Sequence, residues 1–367
     1  MPIRVLHIIG SLRLGGAQVC LKQIVEHNDD PTIEHYIYPL RPHPVDIPID
    51  GRILHRPYPH YDLRKFFAIL RICRDQHINI IHAHLHKPIL GALLATFFCD
   101  VKVIVHEHGA IARPGLQYAL YRRLLGVLKN RAAQFIAVSN AAAEQLTRYA
   151  GIEPARIQVI YNAVDTSCFS ANIEARRRLR RELGLAPDTV VVGFLGRLSY
   201  VKGPDILLNA FERLIQIHPE CVLVFLGDGE MNARLSAQAA QLGIARQVKF
   251  LGFKENAADY INIFDVACVP SRQESFGIAA VELMSTAIPV VVNPVDGLAE
   301  IVREHENALV PQTNTPEDLC ACLVNLVENP DLRRSLAQGG PETARRFAVS
   351  RLVAAFNATY RQLVQSD

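Results

Sequence analysis

Val266-Ala-Cys-Val269-Pro-Ser271-Arg-Gln-Glu274-Ser-Phe-Gly277-Ile-Ala-Ala-Val-Glu282 runs from an apolar stretch through a polar turn into a helical pattern. Four apolar residues read as a buried strand, and Gly277 marks a helix start, so the segment is one strand-loop-helix unit. The same alternation recurs on both sides of it, as expected of parallel sheets built from βαβ units. In the first half, strands are expected at Arg4 to Ile9, Glu34 to Leu40, Ile78 to His82, Lys102 to Glu107, Gln134 to Val138 and Val159 to Tyr161. A second series is expected at Val190 to Leu195, Cys221 to Gly227, Val248 to Leu251, Val266 to Val269, Val290 to Val292 and near Ala308 to Val310. The fold class is therefore α/β, with two doubly wound, Rossmann-like domains covering 1–165 and 166–349. Such sheets bind ligands beyond the carboxyl ends of their strands, so a cleft between the two domains is the expected place for a site.

A chain of 367 residues with 50% hydrophobic content has the material for two such cores. No apolar run reaches the length of a membrane span and the first ten residues read as a core strand, so a cytosolic protein is expected. The eight cysteines lack paired C-x-x-C spacing and read as buried apolar residues in a reducing compartment. The net charge of +3 is uneven: residues 1–165 carry 19 Lys/Arg against 13 Asp/Glu, and the remainder 20 against 23. A basic half favours phosphates, acidic substrates or a membrane surface. No basic tail or interleaved aromatic pattern favours nucleic acid. The Arg-rich stretch between the domains, from Arg176 to Arg181, reads as a solvated helix face.

In the opening segment, Glu274 and Glu282 bracket seven residues. The amides of Phe276, Gly277 and Ile278 at a helix start offer an anion site between them. A nucleoside diphosphate sugar matches that spacing, with hydroxyls at both ends and charge in the middle; the plainer alternative makes Glu274 a cap and Glu282 a buried ion-pair partner. Gly193-Phe-Leu-Gly196-Arg197-Leu-Ser-Tyr-Val-Lys202-Gly203-Pro204 follows the first strand of the second domain. Arg197 and Lys202 bring two cations to a loop where phosphates bind, and no D-x-D or other acidic loop pair is present to hold magnesium there. No metal is expected at the diphosphate. Gly227-Asp228-Gly-Glu230 fits a tight turn near a nucleoside. Gly10-Ser-Leu-Arg-Leu-Gly15-Gly16-Ala-Gln18 resembles a phosphate-binding turn but lacks G-x-G-x-x-G spacing, which argues against nicotinamide chemistry. His82, His84 and His86 alternate as on one strand face and have zinc-ligand chemistry, although strand-end histidines bonded to backbone are commoner. His108, before Gly109, has the position and the ring donor to meet a sugar hydroxyl.

Taken in order, Gly15-Gly16, His108-Gly109, Asn162-Ala-Val-Asp165, Gly196-Arg197-Leu198 with Lys202-Gly203, Gly227-Asp228-Gly229 and the Glu274/Glu282 pair resemble retaining glycosyltransferases of family 4, over nearly the whole chain. The resemblance implies a GT-B fold and a C-terminal helix, about 350–367, that crosses back to the first domain. It implies catalytic roles for Arg197, Lys202, Glu274 and His108. The diphosphate would meet Arg197 and Lys202, the donor sugar Glu274 and His108, and the ribose Glu282. Gly16, Gly196, Gly227, Asp228, Phe276, Gly277 and Ile278 complete the donor set, a UDP- or GDP-sugar being the donor. Gly15, Gln18 and Asn162 fall on the acceptor side, facing a glycan or lipid-linked acceptor of polysaccharide or lipopolysaccharide synthesis. The family often carries Glu at the position of Gln18. The resemblance further implies front-face attack, in which the leaving phosphate takes the acceptor proton while the cations absorb its charge.

Two other readings share these residues: a sugar-nucleotide epimerase, distinguished by needing no acceptor, and a non-catalytic nucleotide-sugar binder. A further segment, Arg113 to Arg131, carries five basic residues and no acid, with Leu116, Leu120, Leu124, Val127 and Leu128 mostly at helical spacing. It reads either as a helix packed on the sheet or as a peripheral anchor on an anionic inner leaflet.

Overall fold

In a computed structural model of the protein, residues 2–13, 15–41, 47–54, 63–109, 111–112 and 114–365 are described. The chain divides into two compact units, residues 1–163 with 349–367 and residues 164–348.

Among its described residues the first unit holds seven parallel strands: β1 (Ile3–Ile9), β2 (Ile33–Pro39), β3 (Arg52–Ile53), β4 (Ile80–His84), β5 (Lys102–Glu107), β6 (Gln134–Ala137) and β7 (Ile157–Val159). Their order is β3-β2-β1-β4-β5-β6-β7, so the winding reverses between β1 and β4. Strands β1 and β4 to β6 are apolar because helices cover both faces; Val5, Ile80, Ile104 and Ile136 are fully buried on one of them. The helix Val349–Gln365 supplies much of that cover, burying Leu352, Phe356 and Tyr360 against the same cluster. The C-terminal segment thus returns to the first unit.

The second unit holds five parallel strands: β8 (Val191–Leu195), β9 (Val222–Leu226), β10 (Val248–Gly252), β11 (Val266–Val269) and β12 (Val290–Val292). Their order, β10-β9-β8-β11-β12, reverses between β8 and β11. Phe194, Phe211, Phe225, Leu207 and Leu323 fill its core.

Three expectations need correction. Residues 308–310 form no strand; Leu309 makes a single bridge to Val291. The two-residue β3 gave no hydrophobic signal because it lies at the sheet edge, where Arg52 bonds Glu34 at 3.0 Å. The Arg-rich helix, Ile173–Glu182, is not a solvated face throughout. Arg180 is buried and donates to the Ile263 carbonyl and to Asp265 Oδ2, both at 3.0 Å. Arg176 pairs with the other oxygen of Asp265 and donates to the carbonyls of Asn262 and Phe264. Asp265 immediately precedes β11 and also accepts from Val191 N at 2.8 Å, so the two arginines clamp the two central strands of the sheet.

Candidate active site

The loops after β8 and β11 flank the point where strand order reverses in the second unit, the place where open α/β sheets bind ligands. Lys202 leaves the first loop and Glu274 the second, and their side chains form an ion pair there. Both are largely withdrawn from water, with side-chain exposures of 30% and 13%. Gly203 makes this approach possible: its φ is +67°, and a Cβ there would lie 2.1 Å from the Pro270 carbonyl. The Glu274 loop is fixed by its backbone, with Glu274 N donating to Asp296 Oδ2 (3.1 Å) and Gly297 N to the Glu274 carbonyl (3.0 Å).

Gly277 caps the helix Ile278–Ser285 at φ +113°, with no room for a Cβ beside Leu298. The amides of Ile278 and Ala279 have no partner within their own helix, while Ala280 N donates to the Gly277 carbonyl at 3.0 Å. The Phe276 side chain is core, packed edge-on against Phe347 at 5.2 Å, and so is not presented to a ligand. Glu282 sits one turn inside the helix, where burial raises its carboxyl to about 7 against an opposing pull from Lys202.

Arg197 is exposed at the start of the Lys202 loop. Around it two glycine turns lock together: Gly196 N donates to the Leu226 carbonyl and Leu198 N to the Asp228 carbonyl. Gly196 and Gly227 both have φ +137°. The Asp228 carboxylate accepts from Gly229 N and Asn232 Nδ2, each at 2.8 Å, which holds it below the usual carboxylate range. That oxygen braces the turn.

Sequence reasoning missed Arg272. Its guanidinium forks onto both oxygens of Asp205 at 2.8 Å, covers the Tyr200 ring and donates to the Tyr200 carbonyl, tying the β11 loop to the β8 loop. An Arg two residues before Glu274 was the available signal. The pair forms one wall of a cavity of about 460 Å³ completed by Asn209, Asn293 and Asn314.

In the first unit, Gly15 precedes the helix Gly16–Glu26 in extended backbone, and Gln18 donates to the Ser11 carbonyl at 2.9 Å. Asn162 is buried, with no hydrogen bond to its Oδ1. His108 lies half-buried after β5, its Nε2 3.3 Å from His84 Nδ1 and its Nδ1 without a partner; burial lowers its pKa to about 3. It is therefore neutral. His86 does not share a face with His82 and His84: it opens the helix His86–Ala95, its ring near Tyr118 and Tyr121. His82 and His84 bond to other side chains rather than to backbone.

The two reversing sheets define the GT-B class of architecture. The solved structure of HepE from Anabaena in complex with UDP-glucose is similar at TM-score 0.84 and 23% identity, covering 98% of this chain and 100% of that one. Residues 14–167 match the family model "Glycosyltransferase Family 4" and residues 175–343 match "Glycosyl transferases group 1". The chain belongs to the family 4, group 1 glycosyltransferases. Among curated relatives it resembles D-inositol 3-phosphate glycosyltransferases of Acidothermus cellulolyticus (34% identity; 71% of this chain, 59% of that protein) and Segniliparus rotundus (31%; 77% and 66%). The chain spans about half to three-fifths of the length of most such relatives, 49% in one case and 59% in another.

Proposed function

We propose that the protein transfers a sugar from a nucleoside diphosphate donor to a glycan or lipid-linked acceptor with retention of configuration and without a metal at the diphosphate. The observation that carries this reading is the Lys202–Glu274 pair at the reversal point of the second sheet. It sets a cation for the diphosphate beside a carboxylate for sugar hydroxyls. Arg197 adds a second cation, the first-turn amides of the helix after Gly277 add dipoles, and Glu282 receives the ribose. These groups favour the charge that grows on the departing phosphate, which accepts the acceptor proton. Neutral His108 donates to a sugar hydroxyl. A UDP-sugar is the donor best supported, because the similar HepE structure holds UDP-glucose.

The test is nucleotide release from a panel of UDP- and GDP-sugars, with and without acceptors, in EDTA. Acceptor-dependent release that survives EDTA is expected, with the anomeric configuration of the donor retained in the product by NMR. Release that stops on chelation and returns with Mg²⁺ or Mn²⁺ would overturn the metal-free reading. Conversion of the donor to its epimer without acceptor would overturn transfer.

Glu282 gives a pH prediction independent of substrate. Its carboxyl titrates near 7 in the folded protein against an ordinary 4.5, so the native state binds the proton more tightly than the unfolded chain. The contribution is full below about 4.5 and is lost as pH rises through 7. Glu282→Gln, neutral throughout, should therefore gain on the wild type by up to about 3 kcal/mol between pH 5 and pH 8. Urea melts at the two pH values measure it; parallel shifts in both proteins would refute the assignment.

Peripheral docking on an anionic membrane is part of the proposal. The helix Leu116–Leu128 buries only Tyr121 and Leu125, while Leu116, Leu120, Leu124 and Val127 are exposed, Leu116 at 87% and Val127 at 78%. Most of the apolar stripe is thus exposed, while Tyr121 and Leu125 pack the helix onto its neighbours. Exposed Phe98 and Arg123 extend this amphipathic character. Arg122 instead donates to the Ile111 carbonyl and stands over Tyr149, and Arg113 lies outside the described residues. No described helix is long and apolar enough to cross a membrane. Co-sedimentation with vesicles containing anionic lipid should weaken with salt and fall several-fold in Arg123→Glu/Val127→Ser. Equal binding to neutral vesicles would remove the docking claim alone.

A further inference from the structure

Six histidines of the first unit converge beneath the carboxyl ends of its central strands. Parallel register sets His7 of β1 beside His82 of β4, and His84 of β4 beside His106 of β5. His35 of β2 and His108, just past β5, extend the group. Its rings form two hydrogen-bonded chains. One runs from His35 Nδ1 to His7 Nε2 (2.9 Å), from His7 Nδ1 to His84 Nε2 (3.2 Å), and from His84 Nδ1 to His108 Nε2 (3.3 Å). The other runs from Tyr360 Oη to His82 Nδ1 (2.7 Å) and from His82 Nε2 to His106 Nδ1 (3.0 Å). The second chain ends at His106 Nε2, fully buried and without a partner, an arrangement that is unfavourable if nothing meets it.

We propose that His84, His106 and His108 bind one transition-metal ion, with zinc the best match to an all-imidazole set. One ring nitrogen from each of the three lies within 4.8 Å of the others. Two nitrogens bound about 2.0–2.1 Å from a tetrahedral ion sit roughly 3.3–3.4 Å apart, which is the spacing of His84 Nδ1 and His108 Nε2. His106 Nδ1 is held by His82, so Nε2 faces the ion and ceases to be an orphan.

The surrounding bonds then take a single consistent direction. His84, ligating through Nδ1, donates Nε2–H to His7, which donates Nε2–H to His35. His106, ligating through Nε2, donates Nδ1–H to His82, which donates Nδ1–H to Tyr360. Every ligand so placed has an outer partner that fixes its tautomer, as metal-bound histidines require, except His108. That ring keeps Nδ1–H as a donor for a ligand hydroxyl.

A second trio, His7, His82 and His84, is equally close, but both nitrogens of all three rings already have partners, whereas the proposed trio gives up only the His84–His108 bond and satisfies the orphaned His106 Nε2. An ion there would have to break those bonds. His108 is the least buried of the proposed ligands, whereas the second trio is wholly buried.

The experiment strips the full-length chain with a chelator, reloads it with Zn²⁺ or Co²⁺, and measures bound metal, the Co²⁺ visible spectrum and Tm. About one ion per chain is expected, with the ligand-field bands of a nitrogen-rich tetrahedral site and a raised Tm. His84→Ala and His106→Ala should lose the ion. His108→Gln, at the least buried of the three ligands, provides the ligand deletion least apt to disturb folding and should also lose it, whereas His86→Ala, outside the cluster, should retain it. No uptake by the wild type, or uptake unchanged in His108→Gln, overturns the proposal. Nucleotide release rescued by Zn²⁺ but not by Mg²⁺ locates a chelation effect at these histidines, so the outcome is separable from that of the transferase test.

Discussion

Lys202→Ala is expected to lower turnover by about a hundredfold or more while leaving the protein folded. The change removes a cation from the leaving phosphate, an interaction worth roughly 3 kcal/mol in a transition state of this kind. It also strips the partner from Glu274, whose carboxylate is only 13% exposed and would then carry an uncompensated charge. Glu274→Ala should cost turnover on the same scale through lost sugar positioning. Lys202→Arg restores charge with a different shape and should recover only part of the rate, because a planar fork cannot replace a point charge in so close a pair. Steady-state kinetics with circular dichroism and Tm as folding controls decide the matter. Near-wild-type turnover in either alanine variant would show that the reaction occurs elsewhere.

Gly227→Ala should destabilise the second unit by about 3 kcal/mol or more, a loss large for one methyl group. Two penalties combine: φ is +137°, a region that side chains rarely adopt, and a Cβ would stand 2.0 Å from the Gly196 carbonyl. Both glycines belong to the turns that hold Arg197 and Asp228, so donor affinity should fall with stability. Gly243→Ala is the matched control, having φ +73° but nothing within 4 Å of the added carbon, and should cost only about 1–2 kcal/mol. Urea midpoints for the two variants test this directly. Equal losses would mean that crowding of the two turns contributes nothing.

Particular residues show what the sequence made legible. The strands of both cores announced themselves because parallel sheets covered on both faces need continuous apolar runs, and β5, β11 and β12 fell where those runs lie. Gly277 was legible as the start of a helix, and Gly203 likewise stands immediately before one. Long-range partnerships were not. Arg176 and Arg180 looked like a solvated run because charge spacing along a helix does not reveal Asp265, 85 to 89 residues away. Arg272 and Asp205 were separated in the same manner. Leu116, Leu120, Leu124 and Val127 carried helical periodicity, but periodicity identifies a stripe without telling whether protein or solvent lies against it. The histidines were visible as a local H-x-H-x-H pattern, yet the assembled cluster excludes His86 and recruits His7 and His35, because sheet order rather than sequence proximity places β1 beside β4 and β2 beside β1.

The return of the helix Val349–Gln365 to the first unit has a consequence for synthesis. The second unit, 164–348, is continuous and has all its strands once residue 348 has cleared the ribosome. The first unit emerges earlier but must wait, with Val5, Ile80, Ile104 and Ile136 lacking the cover that Leu352, Phe356 and Tyr360 later provide. At about 5–20 residues per second, translating the intervening 185 residues leaves that apolar face without its final helix for roughly 10 to 40 seconds. The half of the protein made first is therefore the half finished last, and the one with most need of a chaperone during translation.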